Sequence, residues 1–83
     1  MATPTPDQPT DVEIRDEMIR LGQFLKLTGI ADDGAGARDL LTDEAIDVNG
    51  EAETRRGRQL HPGDVVEVDL PDGVRRLRVV RPA

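Results

Sequence analysis

The spacing of apolar residues changes once along this chain, and that change limits the folds that the sequence can adopt. Leu21, Phe24, Leu25 and Thr28 follow one another at intervals of three, one and three residues, which is the period of an α-helix. From residue 46 onward, apolar and polar residues alternate instead, which is the period of a half-buried β-strand. The chain is therefore predicted to be an α+β protein, with helices first and a sheet after them.

Two short helices are predicted in the first half of the chain. The first covers residues 21–28 and ends at Gly29, because glycine commonly follows the last turn of a helix. Asp33 is a candidate N-terminal cap for the second helix, in which residues 37–41 repeat the helical spacing. Since the connection between the two is short, we expect them to pack as a helical hairpin.

The second half of the chain is predicted to form a small antiparallel sheet. Residues 46–48 alternate between apolar and polar and lead into Asn49-Gly50, the dipeptide most typical of a two-residue hairpin turn. Residues 65–68 and 74–80 are rich in valine and are predicted to form two further strands.

The length of 83 residues allows one small domain. Residues 1–10 contain three prolines and little that could be buried, so we expect a disordered tail, with residues 11–83 forming the single domain. Within that domain, Val12 and Ile14 alternate with polar residues, but the pattern is too short to predict a strand by itself. The chain has no cysteine, no signal-peptide pattern and no long apolar run, which favours a cytoplasmic protein that contacts no membrane.

The composition offers little for catalysis. Histidine occurs once, at His61, and the chain has neither cysteine nor serine, so the usual pairing of a nucleophile with a base cannot be assembled. His61 precedes Pro62-Gly63 and is predicted to be a turn residue. The acidic pairs at residues 32–33 and 43–44 flank predicted helix ends, a placement that capping and dipole effects explain. We therefore expect no catalytic residue, no metal and no cofactor.

Charge is distributed unevenly along the chain. With 17 acids and 11 bases the net charge is −6, which on its own argues against a nucleic-acid partner. Residues 1–53 hold four bases and 13 acids, a net charge of −9, whereas residues 54–83 hold seven bases and four acids, a net charge of +3. Arg55, Arg56 and Arg58 surround Gly57, and because cations this close repel one another, an anionic partner would stabilise them.

A second interpretation of this arginine cluster requires no ligand. Glu51 and Glu53 lie a few residues before it and could pair with the arginines, leaving an ordinary solvated loop of mixed charge. The sequence alone leaves both interpretations open.

Several of these features occur together in a known family. They are Arg20-Leu21, Leu25, Gly29, Ala37-Arg38, Leu40-Leu41, residues 46–50 (IDVNG), residues 55–60 (RRGRQL) and residues 63–66 (GDVV). In this order and spacing they resemble the S-four RNA-binding domain, named after ribosomal small-subunit protein four. Residues 19–26 are most similar to the small stand-alone bacterial members of that family. Four positions differ: Gly22 stands where the motif has Asp, Asp33-Gly34 where it has Ser-Arg, and Glu44 where it has Gly.

The resemblance implies an αL-type fold, in which a two-helix hairpin packs on a small antiparallel sheet and binds structured RNA. It also implies an RNA-facing surface made of the helix pair and the loop after the Asn-Gly hairpin. The candidate RNA-binding residues on that surface are Arg20, Lys26, Arg38, Arg55, Arg56 and Arg58.

Together, these observations predict a non-catalytic, monomeric RNA-binding protein. The expected ligand is ribosomal or transfer RNA, held through the loop that contains Arg55, Arg56 and Arg58 and through the helix pair. The ribosome or a protein is expected as a further partner. The alternative is a protein-interaction adaptor that retains the fold and makes little contact with RNA. Binding that weakens steeply with salt would favour the first function, and a partner that survives ribonuclease would favour the second.

Overall fold

Seven β-strands and two α-helices make up the residues described in the computed structural model, which are 9–31, 34–71 and 73–82. In chain order the elements are β1 (Thr10–Glu13), β2 (Ile19–Arg20), α1 (Leu21–Leu27), α2 (Gly34–Thr42), β3 (Ile46–Val48), β4 (Glu51–Ala52), β5 (Gln59–Leu60), β6 (Val65–Leu70) and β7 (Gly73–Val80). Residues 1–8 of the predicted tail and the predicted cap Asp33 lie outside the described residues.

Two sheets organise the strands. The larger has five strands in the order β1-β7-β6-β3-β4, and the smaller pairs β2 with β5. Neighbours in the larger sheet are antiparallel except for β1, which runs parallel to β7. The smaller sheet joins the residues just before α1 to the residues just after the arginine cluster, so it brings that cluster to the start of the helix.

A single hydrophobic core connects both helices to both sheets. Leu21, Phe24 and Leu25 of α1 are fully buried, as their helical spacing predicts. The same cluster includes alternate residues of three strands, which are Ile46, Val48, Val66, Val68, Leu77 and Val79. Leu41 of α2 and Leu60 of β5 belong to the same cluster. Burial of each such side chain contributes roughly 1.5–3 kcal/mol, so this cluster is the main source of stability.

Both helices end in left-handed residues. Gly29 follows α1 with a φ of 79°, in agreement with the predicted end of that helix. After α2 the same role falls to Glu44, whose φ is 57°. The N–H of Glu44 donates to the carbonyl of Leu41, and the N–H of Ala45 donates to the carbonyl of Leu40, which is the double hydrogen bond of a Schellman motif.

The predicted hairpin turn is confirmed. Asn49 and Gly50 have φ values of 53° and 85° and join β3 to β4, as a type I′ turn requires. The Asn49 side chain also contacts the next strand, because its Oδ1 accepts from the N–H of Val65 at 2.9 Å and its Nδ2 donates to Asp64 at 3.1 Å. The hairpin is thereby attached to the beginning of β6.

The predicted fold class is wrong in its sheet. The expectation was an αL-type fold with a two-helix hairpin on a small antiparallel sheet, whereas the structure has a mixed five-stranded sheet, a second two-stranded sheet and short helices. β1 is mostly polar, and its pairing with β7 comes from backbone hydrogen bonds between distant parts of the chain, which no local period reveals. β2 and β5 have two residues each, too few to show any period.

Candidate functional site

Residues 53–58, named here the arginine loop, connect β4 to β5. Glu53 lies at the start of the loop and is 6% exposed. Among the residues that the structure describes, it is the one charged residue that is buried. Its N–H donates to the carbonyl of Ile46 at 2.9 Å, so its backbone is anchored to β3. The loop closes on itself through a hydrogen bond from the N–H of Arg58 to the carbonyl of Arg55 at 3.2 Å.

The Glu53 carboxylate accepts hydrogen bonds from both ends of this loop. Its Oε2 accepts from the N–H groups of Thr54 and Arg55 and from Nε of Arg55, each at 3.1 Å. Its Oε1 accepts from Nη2 of Arg55 at 3.3 Å and from Nη1 of Arg58 at 2.9 Å. One buried carboxylate therefore fixes the backbone at the start of the loop and two guanidinium groups.

These contacts keep Glu53 ionised. The hydrogen bond from the Arg55 guanidinium lowers the pKa of the Glu53 carboxyl from 4.5 to about 2, against the opposing effect of burial, and Arg58 acts in the same direction as Arg55. The same pairing raises the pKa of Arg55. The sequence-based alternative, in which nearby acids pair with the loop, is thus correct for Glu53, whereas Glu51 is exposed.

The loop is also docked on the first turn of α1. The N–H of Leu21 donates to the carbonyl of Arg58 at 2.8 Å, and the N–H of Gly22 donates to the carbonyl of Arg56 at 2.9 Å. No side chain caps this helix, so the loop carbonyls satisfy amides that a helix start normally leaves without a partner. A Cβ at position 22 would collide with the Arg56 side chain, which explains why glycine fits where the family motif has Asp.

Arg20 joins the loop from the other side. It lies in β2, where it pairs with Gln59 of β5, and its Nη1 is beside Gly57. The structure therefore brings four of the six predicted binding residues to one place, which are Arg20, Arg55, Arg56 and Arg58. An open groove of about 700 Å³ lies against the loop, lined by Arg55, Gly57, Arg58, Gln59, His61 and Asp64.

The other two predicted residues lie elsewhere. Lys26 is in the last turn of α1 and lines a second groove of about 630 Å³, together with Arg15 and Asp16 from the segment between β1 and β2. Arg38 is exposed on α2, next to the exposed Asp39. Neither residue lines the groove beside the arginine loop.

His61 occupies the turn that the sequence predicts for it. Its N–H donates to Oδ2 of Asp64 at 2.8 Å, and its carbonyl accepts from the N–H of Asp64 at 3.0 Å. Gly63 within this turn has a φ of 99°, which favours glycine. The imidazole is exposed at the edge of the groove beside the arginine loop.

Sequence reasoning missed the central position of Glu53. Its spacing from Arg55 and Arg58 is visible in the sequence, but only the folded loop turns all three toward one another. An acid two residues before a cluster of three arginines was the available signal. Glu51 has the same charge and lies on the same hairpin, so the sequence does not show which of the two acids pairs with the arginines.

Two further observations concern metal binding and membrane-spanning helices in the described part of the chain. Among residues 9–31, 34–71 and 73–82, no cluster of three His, Cys, Asp or Glu side chains is arranged to hold a metal ion. Neither of the helices in that part of the chain has the length and hydrophobicity needed to cross a membrane.

Comparison with known proteins identifies the class to which this fold and loop belong. Residues 12–75 match the family model described as the S4 domain, so the chain belongs to the S4 domain family and the resemblance noted in the sequence is confirmed. Among curated proteins, the chain is similar to the probable ribosome maturation protein RlbA of Bacillus subtilis (strain 168). The two are 47% identical over 58 residues, which are 70% of this chain and 82% of that relative.

Proposed function

We propose that this chain is a non-catalytic RNA-binding protein that acts on ribosomal RNA during ribosome maturation. Membership of the S4 domain family and the name of the relative from Bacillus subtilis support an RNA-related, ribosome-associated role. In this proposal the protein is a cytoplasmic monomer, and the ribosomal precursor is its partner.

The observation that carries the proposal is the convergence of four arginines on one preformed surface. Arg20, Arg55, Arg56 and Arg58 come from two segments of the chain and meet at the start of α1. Guanidinium groups donate several hydrogen bonds in one plane, which suits them to phosphate oxygens. The described surface offers no aromatic ring except the imidazole of His61, since Phe24 is buried, so base stacking has little part in binding. The ligand is therefore structured RNA, recognised through its backbone and shape.

Charge limits the affinity of this surface. Glu53 offsets part of the charge of Arg55 and Arg58, and the whole chain carries a net charge of −6. RNA is expected to meet attraction near the arginine loop and repulsion over much of the remaining surface. Binding is accordingly weak at high salt and depends on few phosphate contacts. Lys26 and Arg38 are proposed as outer contacts that an extended RNA reaches beyond the loop.

The most direct mutational test is Arg56→Gln, because Arg56 makes no ion pair with Glu53 and its loss leaves that carboxylate satisfied. We expect affinity for ribosomal RNA to fall about five- to tenfold. The slope of the logarithm of the binding constant against the logarithm of salt concentration should decrease by about one. Fluorescence anisotropy with labelled RNA fragments measures both quantities.

Arg75→Gln is the matched control for this test. It removes the same charge from an exposed position on β7, outside the arginine loop. The control should leave the salt slope unchanged. Equal effects of the two substitutions would show that overall charge, and not the arginine loop, determines binding.

Crosslinking in the native cell, followed by sequencing of the bound RNA, tests the identity of the ligand. Enrichment of ribosomal RNA supports the proposal, and enrichment of transfer RNA alone contradicts its ribosomal part. A protein partner that remains bound after ribonuclease treatment, with no RNA recovered, would indicate an adaptor instead.

A further inference from the structure

Glu53 weakens the charge of the arginine loop, yet it is the most extensively bonded side chain within it. A carboxylate below a cationic loop lowers the attraction of that loop for any polyanion. The same carboxylate is 6% exposed and accepts five N–H bonds from Thr54, Arg55 and Arg58. Its contribution must therefore lie in geometry and not in charge.

The hydrogen bonds leave both guanidinium groups able to bind a further anion. A guanidinium carries five N–H donors. Glu53 takes two of them from Arg55 and one from Arg58. Arg55 is thus held to the carboxylate through two donors and Arg58 through one, and both residues line the groove of about 700 Å³ beside the loop.

The backbone restricts the same two side chains further. The turn from Arg55 to Arg58 is closed by its own hydrogen bond, and the carbonyl of Arg58 is held by the N–H of Leu21. The relative positions of Arg55 and Arg58 are thus set by Glu53 on one side and by α1 on the other. Side chains held in this way lose little conformational entropy when they bind a ligand.

We infer that Glu53 is a positioning residue that makes the arginine loop selective for structured RNA over flexible single strands. The inference rests on the proposed function and assigns its selectivity to one side chain. A flexible strand can adapt its phosphates to mobile arginines, whereas a folded RNA presents fixed phosphates and needs the arginines in a fixed arrangement. The carboxylate thereby reduces affinity for polyanions in general and maintains affinity for RNA of defined shape.

The test compares Glu53→Gln with Glu51→Gln. Both substitutions remove one negative charge from the same hairpin, but Glu51 is exposed on β4 and no part of the network described above depends on it. The probes are a short RNA hairpin and polyuridylate of the same length. The measured quantity is the ratio of the two dissociation constants.

For Glu53→Gln we expect binding to the hairpin to weaken roughly tenfold, because two long side chains must be ordered on binding. Binding to polyuridylate should stay the same or become tighter, since the loop gains net positive charge. Selectivity therefore falls about tenfold, whereas Glu51→Gln changes it less than about twofold. Equal selectivity of the two variants would overturn the inference.

A second measurement applies to the unmodified protein and does not depend on the stability of any variant. In ¹⁵N relaxation experiments, the Nε–H groups of Arg55 and Arg58 should be as rigid as the backbone, and that of Arg75 should be mobile. Mobile Nε–H groups at both loop residues would also overturn the inference. If the unmodified protein binds neither RNA probe, the proposed function fails; if it binds RNA and only the selectivity result is negative, this inference alone fails.

Discussion

Glu44 is a non-glycine residue in a backbone conformation that favours glycine. It occupies the left-handed position of the Schellman motif after α2, with a φ of 57°. Glycine adopts this conformation freely, whereas other residues are strained there by roughly 1 kcal/mol. The family motif has glycine at this position, so the departure seen in the sequence lies where the backbone would favour glycine.

Glu44→Gly is therefore expected to stabilise the protein by about 0.5–1 kcal/mol. Thermal or urea unfolding measures the change. Glu44→Gln is the control, because it removes the charge but retains a Cβ in the strained conformation. Should Glu44→Gln stabilise the protein as much as Glu44→Gly, charge at the helix end and not backbone strain would be the cause.

Some residue roles can be predicted from sequence because they depend only on neighbours in the chain. Gly29 and the Asn49-Gly50 turn belong to this class, since helix ends and tight turns select residues through local backbone geometry. Glu53 and Gly22 do not, because their roles depend on the arginine loop folding back onto α1. The candidate arginines could be named from the family pattern, but their partners could not.

β1 is an element that the sequence pattern alone does not predict. The helices and the strands β3, β6 and β7 follow from periodicity, because each has an apolar face that repeats within the element. β1 has mostly exposed residues and is joined to β7 through parallel pairing. Ile14, which follows it, is buried in the core, and its N–H donates to the carbonyl of Val80 at 2.9 Å.

Ile14→Ala is expected to destabilise the protein by about 2–4 kcal/mol, as for other buried aliphatic residues. The control is Val74→Ala, because Val74 is 58% exposed and its loss should change stability by less than about 0.5 kcal/mol. Chemical denaturation of both variants measures the difference. Equal small effects would mean that residues 10–14 contribute nothing to the folded domain.

At the scale of the whole molecule, acidic side chains are concentrated in one groove and arginines outnumber acids in another. A groove of about 160 Å³ beside β3 and β6 is lined by Glu44, Asp47, Glu67 and Asp69. Two of these acids, Glu67 and Asp69, belong to residues 54–83, the part of the chain with a net positive charge. The distribution of charge on the folded surface therefore differs from its distribution along the sequence. The groove beside the arginine loop is lined by two arginines and one acid, Asp64.

This separation gives the molecule a preferred direction of approach for an anionic ligand. In the proposed function, RNA approaches the arginine loop and is repelled from the acidic groove, so a net charge of −6 is compatible with local binding. The net charge then reduces the strength of binding without excluding it.

A titration of the ¹⁵N-labelled protein with ribosomal RNA fragments, followed by NMR, tests most directly whether the arginine loop is the RNA-binding surface. We predict that the largest changes in amide chemical shift occur at Arg20, at Gly22 and within residues 54–59, while Asp47 and Asp69 remain unchanged. Changes centred instead on the groove lined by Lys26, Arg15 and Asp16, or absent from the arginine loop, would contradict this assignment.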